Sequence, residues 1–529
     1  MRKKQTEQRT NTELPTSVGA GAGNMPGVSW SHLVIPFITM SYKHHMLTYM
    51  RRLLVGWLCL SLIAPSFALD LPNIGDPAER LITPDQERQL GEAFMRQLRQ
   101  QVPFVDDPEI NAYLSNLGNR LVANSDTPSE RFTFFIVKDA SINAFAAPGG
   151  FIGMHSALIL NAHNESELAG VLAHEIAHVT QKHLVRAYDS ASRMGLPMAA
   201  AILAAILIGT QDSTAGQAAI MSVQAGAIQQ QINFTRANEK EADNIGMQTL
   251  ARSEFDPRGM PDFFERLQQA TRYYGQGLPP FLSTHPVTTD RIAESLARAE
   301  QQRPQKIQDN LNFYLAQAKL RVLTTADAKQ ASVYFNQAKT VPALPPAARD
   351  YGRALALAEA GDIGAAKTQL TRLNQGDPDR IAYQLALAEI DLAAGRSSVA
   401  LEQYQHMLRL YPNNPVLVEG YARALLDSGR YAEAQQILDG ARRRQSRPEP
   451  NHYLLLAQAA RGMKREADAH EAMAEYYFLN GQTFEAVEQL TLATRIPGQD
   501  FYQSSRIEAR LQILEALALD EKEQEQKSR

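Results

Sequence analysis

Three glycines, Gly361, Gly395 and Gly429, constrain the fold of this 529-residue chain more than any other feature, because they stand 34 residues apart, twice. Other positions keep the same interval: Gly352, Ala386 and Gly420; Ala354, Ala388 and Ala422; Ala366, Ala400 and Ala434; and the pair Pro378 and Pro412. A unit of that length holds two helices and a turn. Glycine supplies the positive φ of the turn, and alanine lets neighbouring helices approach closely. One such unit cannot bury its own apolar face, so copies must stack into a solenoid with a concave binding surface. An Ala-rich bundle with accidental spacing would not hold four positions in one register. Gly462 with Ala467, and Gly481 with Ala486, read as degenerate continuations. The expectation is a helical repeat region over 304–516, closed by a charged, solvated tail over 517–529.

Upstream of the repeats the pattern changes. Arg131 to Lys138 is β-branched and aromatic and reads as a strand, and Ser141 to Met154 as two further extended segments broken at Pro148-Gly149-Gly150. A helix then starts at Asn164, with Glu167 as its capping-box partner and Leu168, Val171, Leu172, Ile176 and Val179 at helical spacing. Residues 194–209 form an apolar run interrupted by Pro197. It is too short to span a bilayer and predicts a buried helix, with a lid or a hairpin in peripheral membrane contact as the alternative. The fold class is therefore mainly α: an α+β domain with a small sheet over 69–303, followed by an α-solenoid.

Export is legible at the other end. Arg51 and Arg52, the apolar run 53–64 and the small-x-small site Ser66-Phe67-Ala68 make 50–68 a signal peptide. Residues 1–49 have no periodicity and read as an extension ahead of a start at Met46 or Met50. The single cysteine, Cys59, lies within the signal, which excludes a disulfide scaffold and any Cys-ligated metal site. A formal net charge of −4 excludes general nucleic-acid binding by phosphate neutralisation. Any metal must be held by histidine and carboxylate.

Leu172-Ala-His-Glu-Ile-Ala-His-Val179 supplies such ligands. His174 and His178 lie four residues apart on one helix face and can reach one metal ion, while Glu175 can act on a water beside it as general base. A catalytic zinc needs a third protein ligand. Glu239 and Asp243, again four apart, share a face from which Glu241 points away. Glu239 is therefore assigned as third ligand and Asp243 as a carboxylate that orients a ligand imidazole or passes protons to the leaving group. His183 lies nine positions from His174, half a helical circumference round, and is not expected at the metal. His285, in a turn with Pro286, is a candidate for a blocking fourth ligand or for a donor to the oxyanion. Arg291 would fix that loop or bind carboxylate. Asn143, Ala144, Phe145 and Ala146 would form an edge strand for an extended substrate.

The 34-residue unit resembles the tetratricopeptide repeat, and His174-Glu175-x-x-His178 followed by Glu239-x-x-Ala242-Asp243 resembles the M48 metallopeptidases. The resemblance covers nearly the whole chain from about Met50 and implies an HExxH zincin-type domain with one Zn²⁺ and Glu239 as third ligand. Together with the export signal, it implies a periplasmic endopeptidase whose partners are unfolded or stalled outer-membrane β-barrel precursors and the machinery that assembles them. The several spanning helices of membrane-embedded M48 members are absent from this sequence. The rival reading is a repeat-based chaperone or scaffold with a vestigial metal site; the intact set His174, Glu175, His178 and Glu239 argues against decay.

Overall fold

A computed structural model describes residues 82–183, 225–274, 279–302, 310–337, 343–444 and 449–528. The expected extension 1–49, the expected signal 50–68 and the apolar run 194–209 lie outside them.

The first part contains α1 (Pro84–Gln101), α2 (Pro108–Ala123), β1 (Thr133–Val137), β2 (Ala144–Ala147), β3 (Phe151–His155), α3 (Ser156–Asn161), α4 (Glu165–Thr180), α5 (Ala225–Arg252), α6 (Gly259–Tyr274), α7 (Pro280–Thr284) and α8 (Thr289–Gln301). The sheet order is β1-β3-β2, with β1 parallel and β2 antiparallel to β3. Side chains alternate between two separate cores. Phe134, Ile136, Ala144, Ala146, Ile152 and Met154 join the large core under α2, α3 and α4. Phe135, Val137, Phe145, Ala147 and Phe151 pack instead with Leu90, Phe94 and Leu98 of α1. A sheet covered on both faces needs apolar residues at every position, so its period-2 pattern is blurred in sequence.

All sixteen residues of α4 are buried, which places this helix at the centre of the domain. Asn164 caps it by accepting from the Glu167 N–H at 2.9 Å. The reciprocal half of the expected capping box is not made: the Glu167 carboxylate accepts from the His163 N–H at 2.7 Å and pairs with Arg266. The carboxylate instead takes the Arg266 guanidinium, a charge-assisted partner, together with the N–H of the residue before the cap.

The second part is helical throughout its described residues: α9 (Leu311–Thr324), α10 (Ala328–Asn336), α11 (Pro346–Glu359), α12 (Ile363–Gly376), α13 (Ile381–Ala393), α14 (Ser397–Leu410), α15 (Pro415–Asp427), α16 (Tyr431–Arg442), α17 (Pro450–Gly462), α18 (Glu466–Leu479), α19 (Thr483–Thr494) and α20 (Phe501–Ser528). Gly361, Gly395 and Gly429 occupy the inter-helix turns with φ of 85°, 72° and 72°. The degenerate unit differs from its sequence alignment. Its left-handed turn residue is Lys464, φ 59°, whereas Gly462 still belongs to α17 and takes the Tyr431 ring against its Cα. The charged residues expected as a tail continue α20 to Ser528; Glu, Lys and Gln are strong helix formers, and Glu521 accepts from Thr483 at 3.0 Å. The solenoid folds back on the first part, with α9 and α15 against α2 and α18 against α1. Among the described residues, no helix is long and apolar enough to cross a membrane.

Candidate metal centre

Helices α4 and α5 cross closely because Gly246 faces α4: a Cβ there would lie 3.1 Å from the Ala173 backbone and the His174 Cα. That approach sets Glu239 and Asp243 of α5 against the histidines of α4. The His174 and His178 Nε2 atoms are 3.1 Å apart, and each lies 3.4 Å from a Glu239 carboxylate oxygen. His285, just after α7, brings its Nδ1 to 3.1 Å from Glu239 and 3.4 Å from His174 Nε2. One ligand atom from each of these four buried residues lies within 4.8 Å of the other three.

These separations test whether a metal fits. Four ligands at zinc-to-nitrogen distances form a tetrahedron with edges of about 3.3–3.4 Å. Five of the six separations, taken to one or the other Glu239 oxygen, are 3.1–3.4 Å and suit a site of that size, and the sixth, His178 to His285, stays within 4.8 Å. The donors are imidazole and carboxylate, as the lack of a second cysteine requires.

The surroundings orient the ligands. Asp243 Oδ1 lies 3.1 Å from His174 Nδ1, which turns Nε2 toward Glu239. Arg291 in turn clamps Asp243 with two bonds, Nε to Oδ2 at 2.8 Å and Nη2 to Oδ1 at 2.7 Å. Its third nitrogen, Nη1, donates to the Pro286 carbonyl and lies 2.9 Å from Glu239 Oε2. One guanidinium thus ties together a ligand, the carboxylate behind another ligand, and the His285 loop. The sequence offered it these roles separately, and the structure combines them.

His183 stays out of the cluster, as expected, but it lies closer to it than the helical wheel implied. Its Nδ1 lies 3.0 Å from His178 Nδ1 and its Nε2 3.1 Å from Glu241. The helical-wheel argument assumed that α4 continues. It ends at Thr180, and Lys182 at φ 54° turns the chain so that His183 curls back onto the preceding turn. Glu241, pointing away from the cluster as expected, supports this second histidine. The left-handed residue carries no sequence signal, since it is a lysine.

Glu175 is fully buried beside the cluster and lies 3.5 Å from His285 Nε2. Burial holds its carboxyl above the ordinary carboxylate range, against the pull of His285 and His174. Burial alone would lower His174, but hydrogen bonds to Asp243 and Glu239 overcome it and bring that imidazole to about 10. For Glu239 the balance again goes against burial, and the three neighbouring histidines hold it well below its usual value. Asn143 is buried, and β2, which carries Ala144, Phe145 and Ala146, forms one edge of the sheet and packs against α4. Of the other histidines, His155 is buried against Ser141 and Asp139, at 3.0 and 3.5 Å.

Comparisons with known proteins agree with this arrangement. The model of peptidase family M48 matches residues 108–299, and that of the tetratricopeptide repeat matches residues 391–459. A relative from Vibrio cholerae is 37% identical over 461 residues, 86% of this chain and 94% of its own. The beta-barrel assembly-enhancing protease of Escherichia coli is 35% identical over 468 residues, 88% of this chain and 96% of its own. The protein of that name from Yersinia pestis is 34% identical, covering 84% of this chain and 92% of its own. A buried His/Glu cluster on an HExxH helix, a helical repeat region and relatives matched along nearly their whole length lead to one assignment: this chain belongs to peptidase family M48, as a metallopeptidase that carries tetratricopeptide repeats.

Proposed function

We propose that this chain is a periplasmic zinc endopeptidase that acts on outer-membrane β-barrel precursors and uses its repeats to hold protein partners. The observation that carries the reading is the spacing of His174, His178 and Glu239 at tetrahedral edges, with Glu175 buried beside them. These three residues hold the metal. Zinc, when bound, supplies the Lewis acidity that polarises a peptide carbonyl and eases deprotonation of water. Glu175, with its raised proton affinity, accepts the water's proton and returns it to the leaving amine. Asp243 holds the His174 ring in its tautomer rather than meeting substrate, because Arg291 occupies its other oxygen. The Asn143–Ala146 edge supplies the strand against which an extended substrate lies.

His285 acts as a blocking fourth ligand. Its Nδ1 lies as near to Glu239 as the other ligand atoms do, which favours this role over donation to an oxyanion. The export signal and the names of the relatives support the periplasm and the client class; the repeat region supports protein partners.

Two variants test the reading. Glu175→Gln should retain about one zinc per chain and lose hydrolysis of casein; retained cleavage would remove Glu175 from the mechanism. His285→Ala should raise basal cleavage at unchanged zinc content, and an unaltered rate would refute the block.

A further inference from the structure

The sheet has a second edge, away from the metal centre. Residues 103–105 pair with only the C-terminal half of β1: the Val105 N–H donates to the Ile136 carbonyl at 2.9 Å and the Lys138 N–H to the Pro103 carbonyl at 2.8 Å. In the ladder with β3, the Thr133 N–H donates to Gly150 at 2.8 Å. Backbone groups of Thr133, Phe135 and Val137 therefore point at β3, and those of Phe134 and Ile136 point outward. The Ile136 carbonyl is taken by Val105. The outward N–H and C=O of Phe134 have no partner among the described residues, although Phe134 is only 5% exposed. Phe134 lines a cavity, where water or an added strand can satisfy these groups.

Phe134 lines a cavity of about 530 Å³ at the seam between the first part and the repeats, shared with Asn111 and Asn119 of α2 and His452 of α17. His452 is nine-tenths buried. Its Nε2 has no hydrogen-bond partner, and neither has Asn111 Oδ1. The carboxylates at the rim, Asp106 and Glu449, are both held by Arg99, at 3.4 and 3.2 Å. Glu419 is held by Arg423 at 2.6 Å, and Arg444 is an exposed cation of the lining; beside these the cavity presents a strand edge, amides and an imidazole nitrogen. The uncharged part of that lining matches peptide N–H and C=O groups.

We propose that the seam cavity binds an extended polypeptide segment through its backbone, as a strand added to the Phe134 edge of β1. The inference deepens the peptidase reading and rests on it for the nature of the client. Because β1 and β2 are opposite edges, a segment held at Phe134 is not the one being cut. It anchors an unfolded chain while another stretch reaches the metal. Backbone recognition at the anchor makes capture independent of client sequence.

The test uses full-length protein carrying Glu175→Gln and a fluorescein-labelled ten-residue peptide of alternating apolar and polar residues. Peptide should slow hydrogen exchange at least ten-fold in the fragment spanning 131–138. Asn119→Trp, which fills the cavity, should raise the Kd at least ten-fold. His452→Phe, which keeps an aromatic ring and removes the polar nitrogens, should raise it several-fold. Zinc content and circular dichroism check that both variants are folded. Equal affinity in both variants, or protection confined to 144–147, would overturn the proposal. Protein without Glu175→Gln that protects 131–138 yet cleaves no peptide would overturn the peptidase reading instead.

Discussion

At the scale of single residues, the site is governed by one cation that is not a ligand. Arg291 is 4% exposed and shares its guanidinium between Asp243, Glu239 and the Pro286 carbonyl. Lysine cannot copy that planar fork. Arg291→Lys should therefore weaken zinc binding by roughly 10–100-fold, the usual cost of losing a group that orients metal ligands. Competition with a chromophoric chelator measures it. Unchanged affinity would mean that Asp243 and Glu239 hold their positions through packing alone. Asp243→Asn, which keeps the shape but loses the charge facing Arg291, should fall in the same range.

Among the elements, glycines act in two physically distinct ways. Gly395 sits at φ 72° with open space where a Cβ would go, so Gly395→Ala costs only the left-handed backbone, about 1–2 kcal/mol. Asn should recover part of that loss. Gly420 lies inside α15, where a Cβ would meet the Tyr404 ring at 2.6 Å. Gly420→Ala must displace a buried tyrosine and should cost about 1–3 kcal/mol, with no recovery by Asn. Chemical denaturation of the two Asn variants separates the cases. The 34-residue period exposed both kinds of position in the sequence without distinguishing them, because both demand a small residue. The same ambiguity explains Gly462, aligned with turn glycines yet serving as a seat for Tyr431.

For the whole molecule, a buried lysine joins the two parts. Lys319 of α9 lies 3.0 Å from Asp107 and 2.7 Å from Glu109, at the start of α2, and 4.0 Å from Glu389 of α13. Burial disfavours its charge, but the three carboxylates outweigh that and hold its pKa well above the ordinary value. A raised lysine contributes its stability throughout neutral pH and loses it only as pH rises through the folded value. Lys319→Met leaves those carboxylates without their cation and should destabilise the protein by about 3 kcal/mol. Thermal unfolding would show this as a lower Tm at pH 7. If the repeats unfolded alone while the first part kept its Tm, Lys319 would not couple them.

Periodicity and spacing were legible from the chain itself: the helical repeat, the strands, and His174, Glu175, His178, Glu239 and Asp243 on facing helices. Such features repeat at 34, 3.6 or 2 residues, and local backbone geometry dictates those intervals. Tertiary structure alone decided what depends on where distant segments meet. It brought His285 to within 3.1 Å of Glu239 across 46 residues of sequence. It turned His183 back onto His178 through a left-handed lysine, and it left the Phe134 edge of β1 facing the repeats. Those outcomes follow from helix ends and packing contacts, which no periodic pattern encodes.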